Sequence, residues 1–106
     1  MQAMQFNEVL FDQFAKMEAV LAAKADEYAG GNDRLANFKK AAALQGITPE
    51  QACHGMMTKH IVSVSDMVQS GKEYPMAMWE EKLGDALNYY VLLKALVVER
   101  HTADLS

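Results

Sequence analysis

Two carboxylates stand one helical turn apart in the stretch EEKLGDALNYY (80–90) near the end of the chain. On a helix, Glu81, Asp85 and Asn88 would lie within about 60° of one another. Two carboxylates held together repel, and a bound cation removes that conflict. Mg²⁺ fits because it prefers oxygen ligands and keeps several waters. The spacing therefore predicts a magnesium site, although acids in the first turns also favour the helix dipole and Lys82 could screen them on a solvated face.

A second polar face lies in KHIVSVSD (59–66), where Lys59, Ser63 and Asp66 stand opposite an apolar stripe. If this face meets the first one, Asp66 completes the metal shell and Lys59 neutralises phosphate charge. A solvated helix face is the alternative. We expect His60 to be a partly buried structural histidine, because one histidine without a spaced partner is no metal motif.

A third group of candidates lies in KADEYAGGNDRLANFKK (24–40). Arg34 stands close to the expected start of a helix, where backbone amides favour an anion, and Asn37 follows one turn later. Glu27 is a further possible metal ligand, and Tyr28 could support a base or ribose. The alternative is a core tyrosine and a capped turn followed by a solvated helix.

Composition limits the class of protein. The chain has 106 residues, 51% of them hydrophobic, which predicts one ordered domain over residues 1–106. The net charge of −4 argues against nucleic acid as a partner, because phosphate binding needs clustered Lys and Arg. The single cysteine, Cys53, excludes an intrachain disulfide and fits a reducing compartment. No signal peptide and no run of roughly 18 apolar residues is found, so we expect a cytoplasmic protein without a membrane partner.

Glycine and proline divide the sequence into four segments with helical periodicity, at about 6–28, 32 or 33 to 45, 48–70 and 75–100. Thr48, Pro49 and Gln51 form a capping-box signature. The expected inner faces are Phe6, Leu10, Phe14, Met17, Leu21, Ala25 and Tyr28 in the first segment, Leu35, Phe38 and Ala42 in the second, and Met57, Ile61, Val64 and Val68 in the third. The sequence predicts an all-α fold, a small antiparallel helical bundle of three long helices and one short helix.

The last segment is apolar on two sides beyond Gly84. One side carries Leu87, Tyr90, Leu93 and Val97, and another carries Leu92 and Leu96. Because one small domain cannot easily cover both sides, we expect oligomerisation to complete the bundle as a homo-oligomer.

Two stretches resemble known families. EKLGDALNYYVLLKAL (81–96) resembles the acidic helix of the MazG-like all-α nucleotide pyrophosphohydrolases, in which Asp85 matches the family aspartate. Glu81 matches its partner with one extra residue between them, and Asp66 or Glu27 would replace the missing Glu-x-x-Glu pair. KADEYAGGNDRLANF (24–38) resembles helical domains common in phage genomes and labelled nucleotide-modification-associated. The resemblance covers about residues 20–98 and implies a helical bundle, a Mg²⁺ cluster and a nucleotide substrate.

Together these features predict a nucleotide-processing protein similar to Mg²⁺-dependent pyrophosphohydrolases, located in the host cytoplasm if a phage encodes it. The expected catalytic residues are Glu81, Asp85 and Lys59. The expected substrate-binding residues are Arg34, Asn37, Tyr28, Asn88 and Lys82, and the expected metal ligands are Glu81, Asp85, Asp66 and Glu27. The alternative is a non-enzymatic, phage-type accessory protein that binds a host protein or sequesters a nucleotide. Eight methionines suit adaptable surfaces, and Trp79 is either an interface anchor or the lid of the bundle.

Overall fold

The structure, a computed structural model, describes residues 1–27 and 33–104, with the side chains of 1–22 and 33–103. Within these ranges the chain forms four helices and no strand: α1 (Ala3–Glu27), α2 (Ala36–Gln45), α3 (Pro49–Ser70) and α4 (Met76–Asp104). The predicted all-α class, with three long helices and one short helix, is confirmed. Tyr28 and Asn32 lie outside the described residues, as do the side chains of Ala25 and Glu27.

The chain divides into two compact units, residues 1–32 and residues 33–106. The first unit contains α1, which begins about one turn earlier than predicted. The Gln5 side-chain oxygen accepts a hydrogen bond from the Gln2 amide at 2.9 Å, which stabilises the added turn. On the polar side of α1, Lys16 pairs with Asp12 at 2.7 Å.

In the second unit, the short helix α2 is stabilised at both ends. The Asp33 carboxylate accepts a hydrogen bond from the Leu35 amide at 2.9 Å, so Asp33 caps the turn that leads into the helix. Gly46 ends α2 with a φ of 69°, a left-handed conformation that glycine adopts without the steric cost of a side chain.

The capping box predicted for α3 is confirmed. The Thr48 hydroxyl accepts from the Gln51 amide at 3.1 Å, and the Gln51 side-chain oxygen accepts from the Thr48 amide at 2.9 Å. The helix ends at Gly71, whose φ is 67°. A five-residue link without regular secondary structure, 71–75, then leads into α4.

Helices α3 and α4 run antiparallel. Glu50, at the start of α3, pairs with Arg100, near the end of α4, at 3.0 Å. Halfway along, His60 of α3 faces Asp85 of α4. Residue numbers therefore rise along one helix as they fall along the other, and this register decides which polar side chains meet.

The core of the second unit forms where α2, α3 and α4 meet. Leu35, Phe38, Cys53 and Leu96 make its central cluster, with Leu92, Leu93 and Tyr89 packed against it. The predicted inner face of α2 is confirmed, because Leu35, Phe38 and Ala42 are all buried.

The predicted inner stripe of α3 is correct at Met57 but wrong at its end. Met57 is completely buried, whereas Val68 is 57% exposed and Met67 is buried in its place. The covered side of α3 follows Cys53, His60 and Met67, which are seven residues apart. A seven-residue repeat drifts around a helix of 3.6 residues per turn, as expected for helices that pack at a small angle.

Helix α4 has two apolar sides, but they do not divide as predicted. Leu96 is buried in the core, and Leu93, predicted on the other side, packs against the same core. Another face of the helix keeps large apolar side chains exposed. We call this the outer face of α4, and it consists of Met76, Leu83, Leu87, Tyr90, Val91 and Val98. Among the described residues, none of the helices combines the length and the apolar character needed to cross a bilayer. Self-association stays a prediction.

Candidate functional site

One polar cluster joins α3 to α4. His60 Nδ1 lies 3.7 Å from Asp85 Oδ2. The His60 ring stacks against Tyr89, with ring centroids 5.1 Å apart and planes tilted by 30°. Asp85 and Tyr89 are one helical turn apart, so α4 presents both to the same histidine. The His60 side chain is only 19% exposed, which supports its interpretation as a partly buried structural histidine.

Asn88 extends this polar row toward the protein interior. Its side-chain oxygen Oδ1 is buried and accepts no hydrogen bond within the described part of the chain. An unpaired buried acceptor costs roughly 1–3 kcal/mol, which a ligand with an N–H or O–H donor would recover. Glu81 is exposed, the Asp85 side chain is 43% exposed, and the Asn88 acceptor is sealed from solvent. The row therefore runs from solvent into the protein, as expected for the rim of buried space.

The predicted magnesium ligands are distributed along the helices. Asp66 lies six residues beyond His60, about 9 Å further along α3, so the antiparallel register carries it past Asp85. Both Asp66 and Glu81 are exposed, and the side chain of Glu27 lies outside the described part. Among the described residues, no three His, Cys, Asp or Glu side chains are grouped closely enough to hold a metal ion. The described donors alone therefore do not fit a Mg²⁺ shell, and the ion stays a prediction.

The remaining predicted site residues, apart from Tyr28, lie on three different helices or their ends in the second unit. Lys59 is exposed beside His60 on α3, and Lys82 is half-buried in the second turn of α4. Arg34 is half-buried just before α2, and Asn37 is exposed in the first turn of that helix. Tyr28, predicted to contact a base or ribose, lies outside the described residues.

The predicted anion site at the start of α2 already has a carboxylate. Lys39 and then the Leu35 amide hold the pKa of Asp33 below its usual value. Because the negative charge of Asp33 sits on the amide that an incoming anion would use, it weakens this end of α2 as a phosphate site. Lys39 is engaged as well, since it pairs with both Asp33 and Glu99.

Cys53 lies in the core next to Tyr89 of the polar cluster. The thiol is completely buried, and burial raises its pKa. Its Sγ lies 4.0 Å from the backbone oxygen of Tyr89, whose ring also meets Phe38 edge-on at 6.4 Å. The structure therefore supports Cys53 as a small structural thiol, since a reactive thiol needs a lowered pKa and access to reagents.

A different kind of candidate site lies on α1. Phe6, Leu10, Phe14, Met17 and Leu21 recur at intervals of four, four, three and four residues, and we call them the apolar face of α1. Phe14 is 56% exposed, and the neighbouring Phe11 is 63% exposed. The sequence predicts this stripe as the inner face of the first helix, whereas Phe6 and Phe14 are exposed in the structure. Periodicity shows that the apolar residues share one face, but it does not show whether that face is covered.

The sequence leaves Trp79 as either an interface anchor or the lid of the bundle. It is half-buried and meets Tyr74 edge-on, with ring centroids 5.9 Å apart. The Tyr74 hydroxyl in turn shares a hydrogen bond with Ser70 at 3.0 Å. These contacts support the lid interpretation, with Trp79 covering the turn between α3 and α4.

No family model, curated protein or solved structure matches this chain. The likeness to MazG-like enzymes and to phage nucleotide-modification-associated domains therefore stays a prediction that depends on two short stretches of sequence. Two features of the described residues bear on function: the polar cluster of His60, Asp85, Asn88 and Tyr89, and the exposed apolar surfaces of α1 and α4.

Proposed function

We propose that this protein is a non-enzymatic helical module that binds another protein through the apolar face of α1. The observation that carries the proposal is the exposure of aromatic side chains along that helix, with Phe6 and Phe14 each 56% exposed. Large exposed apolar patches on soluble proteins mark interaction sites more often than scattered single residues do.

The energetics of helix formation support this proposal. Helices in water gain most of their stability from packing an apolar face, and propensity alone leaves them marginal. α1 spans 25 residues, and Phe14 lies at the centre of its stripe. Covering a phenylalanine completely contributes about 1.5–3 kcal/mol, so a partner that buries this face would stabilise the helix as it binds.

The geometry of α1 fits a groove. Anchors at i, i+4, i+7 and i+11 are the pattern of an amphipathic helix that lies in an apolar channel. From Phe6 to Leu21 the stripe rises about 22 Å, which gives the length of the matching channel. On the opposite side, Asp12 and Lys16 pair with each other and would keep that side hydrated. The partner we propose is therefore a protein with an apolar groove, such as a host protein.

Two matched variants test this proposal. Phe14→Asp places a charge in the apolar face, whereas Ala19→Asp places the same charge on the same helix about 140° away. A partner captured with the wild-type chain is purified, and its affinity for all three proteins is measured by calorimetry. We expect Ala19→Asp to bind like wild type and Phe14→Asp to bind at least about thirtyfold more weakly, as for an aromatic hot spot.

Equal affinity of Phe14→Asp and wild type would remove α1 from the interface. Circular dichroism of the two variants provides the control, because both should keep the helical content of the wild type.

A second candidate function is nucleotide binding at the polar cluster, as the resemblance to MazG-like enzymes implies. It is favoured by Asn88 Oδ1, a buried acceptor with no hydrogen-bond partner among the described residues, one helical turn from Asp85, which lies close to His60. A base amino group or a ribose hydroxyl would supply the missing donor. Mg²⁺, if bound by Glu81 and Asp85, would supply charge neutralisation for the phosphates.

Incubation with a panel of nucleoside triphosphates and Mg²⁺ tests this second candidate. Pyrophosphate release that disappears in Asp85→Asn supports the hydrolase, and a rise in Tm without turnover supports a binder. If no nucleotide in the panel is hydrolysed and none raises the Tm, the proposal of nucleotide binding is contradicted.

A further inference from the structure

The outer face of α4 is apolar and uncovered in the second unit, where α4 packs against α3 through its other side. Leu87, at the middle of this face, is 40% exposed, and Tyr90 beside it is 51% exposed. Lys94 and Glu80 are exposed on the same face. A helix that is apolar on two sides needs two partners, and the core supplies only one.

The order of residues along this face is symmetric about Leu87. Four residues away on either side stand Leu83 and Val91, both apolar and similarly exposed. Seven residues away on either side stand Glu80 and Lys94, which have opposite charges.

The symmetry continues one turn further. Eleven residues away on either side stand Met76 and Val98, which are again apolar and exposed. Steps of four, seven and eleven residues return to nearly the same side of a helix, within about 40° of Leu87. At these positions the face therefore has the same order of apolar residues from both ends, apart from the sign of its charges. Tyr90 is the exception, because its counterpart three residues before Leu87 is Gly84.

We propose that a second copy of this chain covers the outer face of α4, antiparallel to the first and related to it by a two-fold axis beside Leu87. In this arrangement Leu87 meets its own copy, and Leu83 of each chain packs near Val91 of the other. Lys94 of each chain lies near Glu80 of the other, so the interface contains two pairs of opposite charges.

The charges select this arrangement over its alternatives. A parallel pair in register would place Lys94 beside Lys94 and Glu80 beside Glu80, and like charges in contact destabilise an interface. An isologous interface requires a self-complementary surface, which this palindromic order provides. A different protein could bind this face through apolar side chains of its own, but such binding would not require the two halves of the face to match.

Analytical ultracentrifugation of the full chain tests the proposal. We expect the wild type to dimerise and Leu87→Asp to be monomeric at the same concentration. Val62→Asp is the matched control, since Val62 is an exposed valine on α3 outside this face. It should dimerise like wild type, and circular dichroism should show unchanged helical content in both variants.

A charge exchange tests the register independently of the apolar contacts. Lys94→Glu should weaken the dimer by about tenfold, because it places like charges together twice. Adding Glu80→Lys in the same chain should restore affinity to within about threefold of the wild type. A monomeric wild type, a dimer that survives Leu87→Asp, or a double variant no tighter than Lys94→Glu would each overturn the proposal. So would a dimer lost in Phe14→Asp and kept in Leu87→Asp, which would place the contact on α1.

Discussion

Cys53 shows how burial alone can decide what a reactive type of residue does. Its thiol is completely buried and its pKa is raised by desolvation. We expect iodoacetamide to leave Cys53 unmodified in the native protein at pH 8 and to modify it once denaturant unfolds the chain. Mass spectrometry after timed labelling provides the measurement, and labelling of the folded protein at the rate of a free thiol would contradict this interpretation.

The raised pKa of Cys53 also sets the sign of a pH effect. The unfolded chain loses the thiol proton at a lower pH than the folded chain does. The stabilising contribution is therefore fully present below the ordinary thiol pKa and is lost as pH rises through the folded value. Denaturant melts at pH 7.5 and pH 10 should show a larger loss of stability in the wild type than in Cys53→Ala.

Gly55 allows a separate test at the scale of one residue. It lies inside α3 in an exposed position, and a β-carbon added there meets no atom within 4 Å. Alanine is a better helix former than glycine, so Gly55→Ala should raise the free energy of unfolding by about 0.5–1 kcal/mol. Urea denaturation followed by circular dichroism measures this change. If Gly55→Ala is less stable than the wild type, the added methyl group must contact another part of the protein, which would contradict this prediction.

At the scale of the element, the start of α3 depends on the capping box. Thr48→Ala removes the acceptor for the Gln51 amide and should lower the free energy of unfolding by about 1 kcal/mol. Thr48→Ser keeps the hydroxyl and should retain most of that stability. Thermal melts of the three proteins provide the comparison, and equal loss in both variants would show that packing of the threonine methyl matters more than the cap.

Local signals explain why the helices could be predicted from the sequence. The box at Thr48 and Gln51 requires residues only three positions apart, so its chemistry is visible in the sequence itself. The start of α2 was harder to place, because Asp33 caps the Leu35 amide one turn before the helix begins. Likewise, the 3.6-residue period of a straight α-helix predicts Val68 in the core. A line of contact between two packed helices instead repeats every 3.5 residues or so.

The polar cluster could be predicted only in part, for a reason that belongs to tertiary structure. Spacing places Asp85 and Asn88 on one side of a helix, and both residues lie in α4. The pairing of Asp85 with His60 depends on how far α3 is shifted along α4, which no local pattern records. The same shift carries Asp66 past the cluster.

At the scale of the whole molecule, the second unit contains a core of its own. Every member of the central cluster, from Leu35 to Leu96, belongs to residues 33–106. We expect a fragment of residues 33–106 to unfold cooperatively in urea and to keep the resistance of Cys53 to labelling. A fragment without a cooperative transition would show that this core requires residues 1–32.

The double pairing of Lys39 has a topological consequence. This ammonium group touches Asp33, at the beginning of the second unit, and Glu99, in the closing turns of α4. The first residue of that unit and the closing turns of α4 are therefore close to one side chain. A short glycine-rich tether could join them, and the chain could be reopened at the exposed segment 71–73. Such a circular permutant would place α4 ahead of α2 and α3 while keeping the same core.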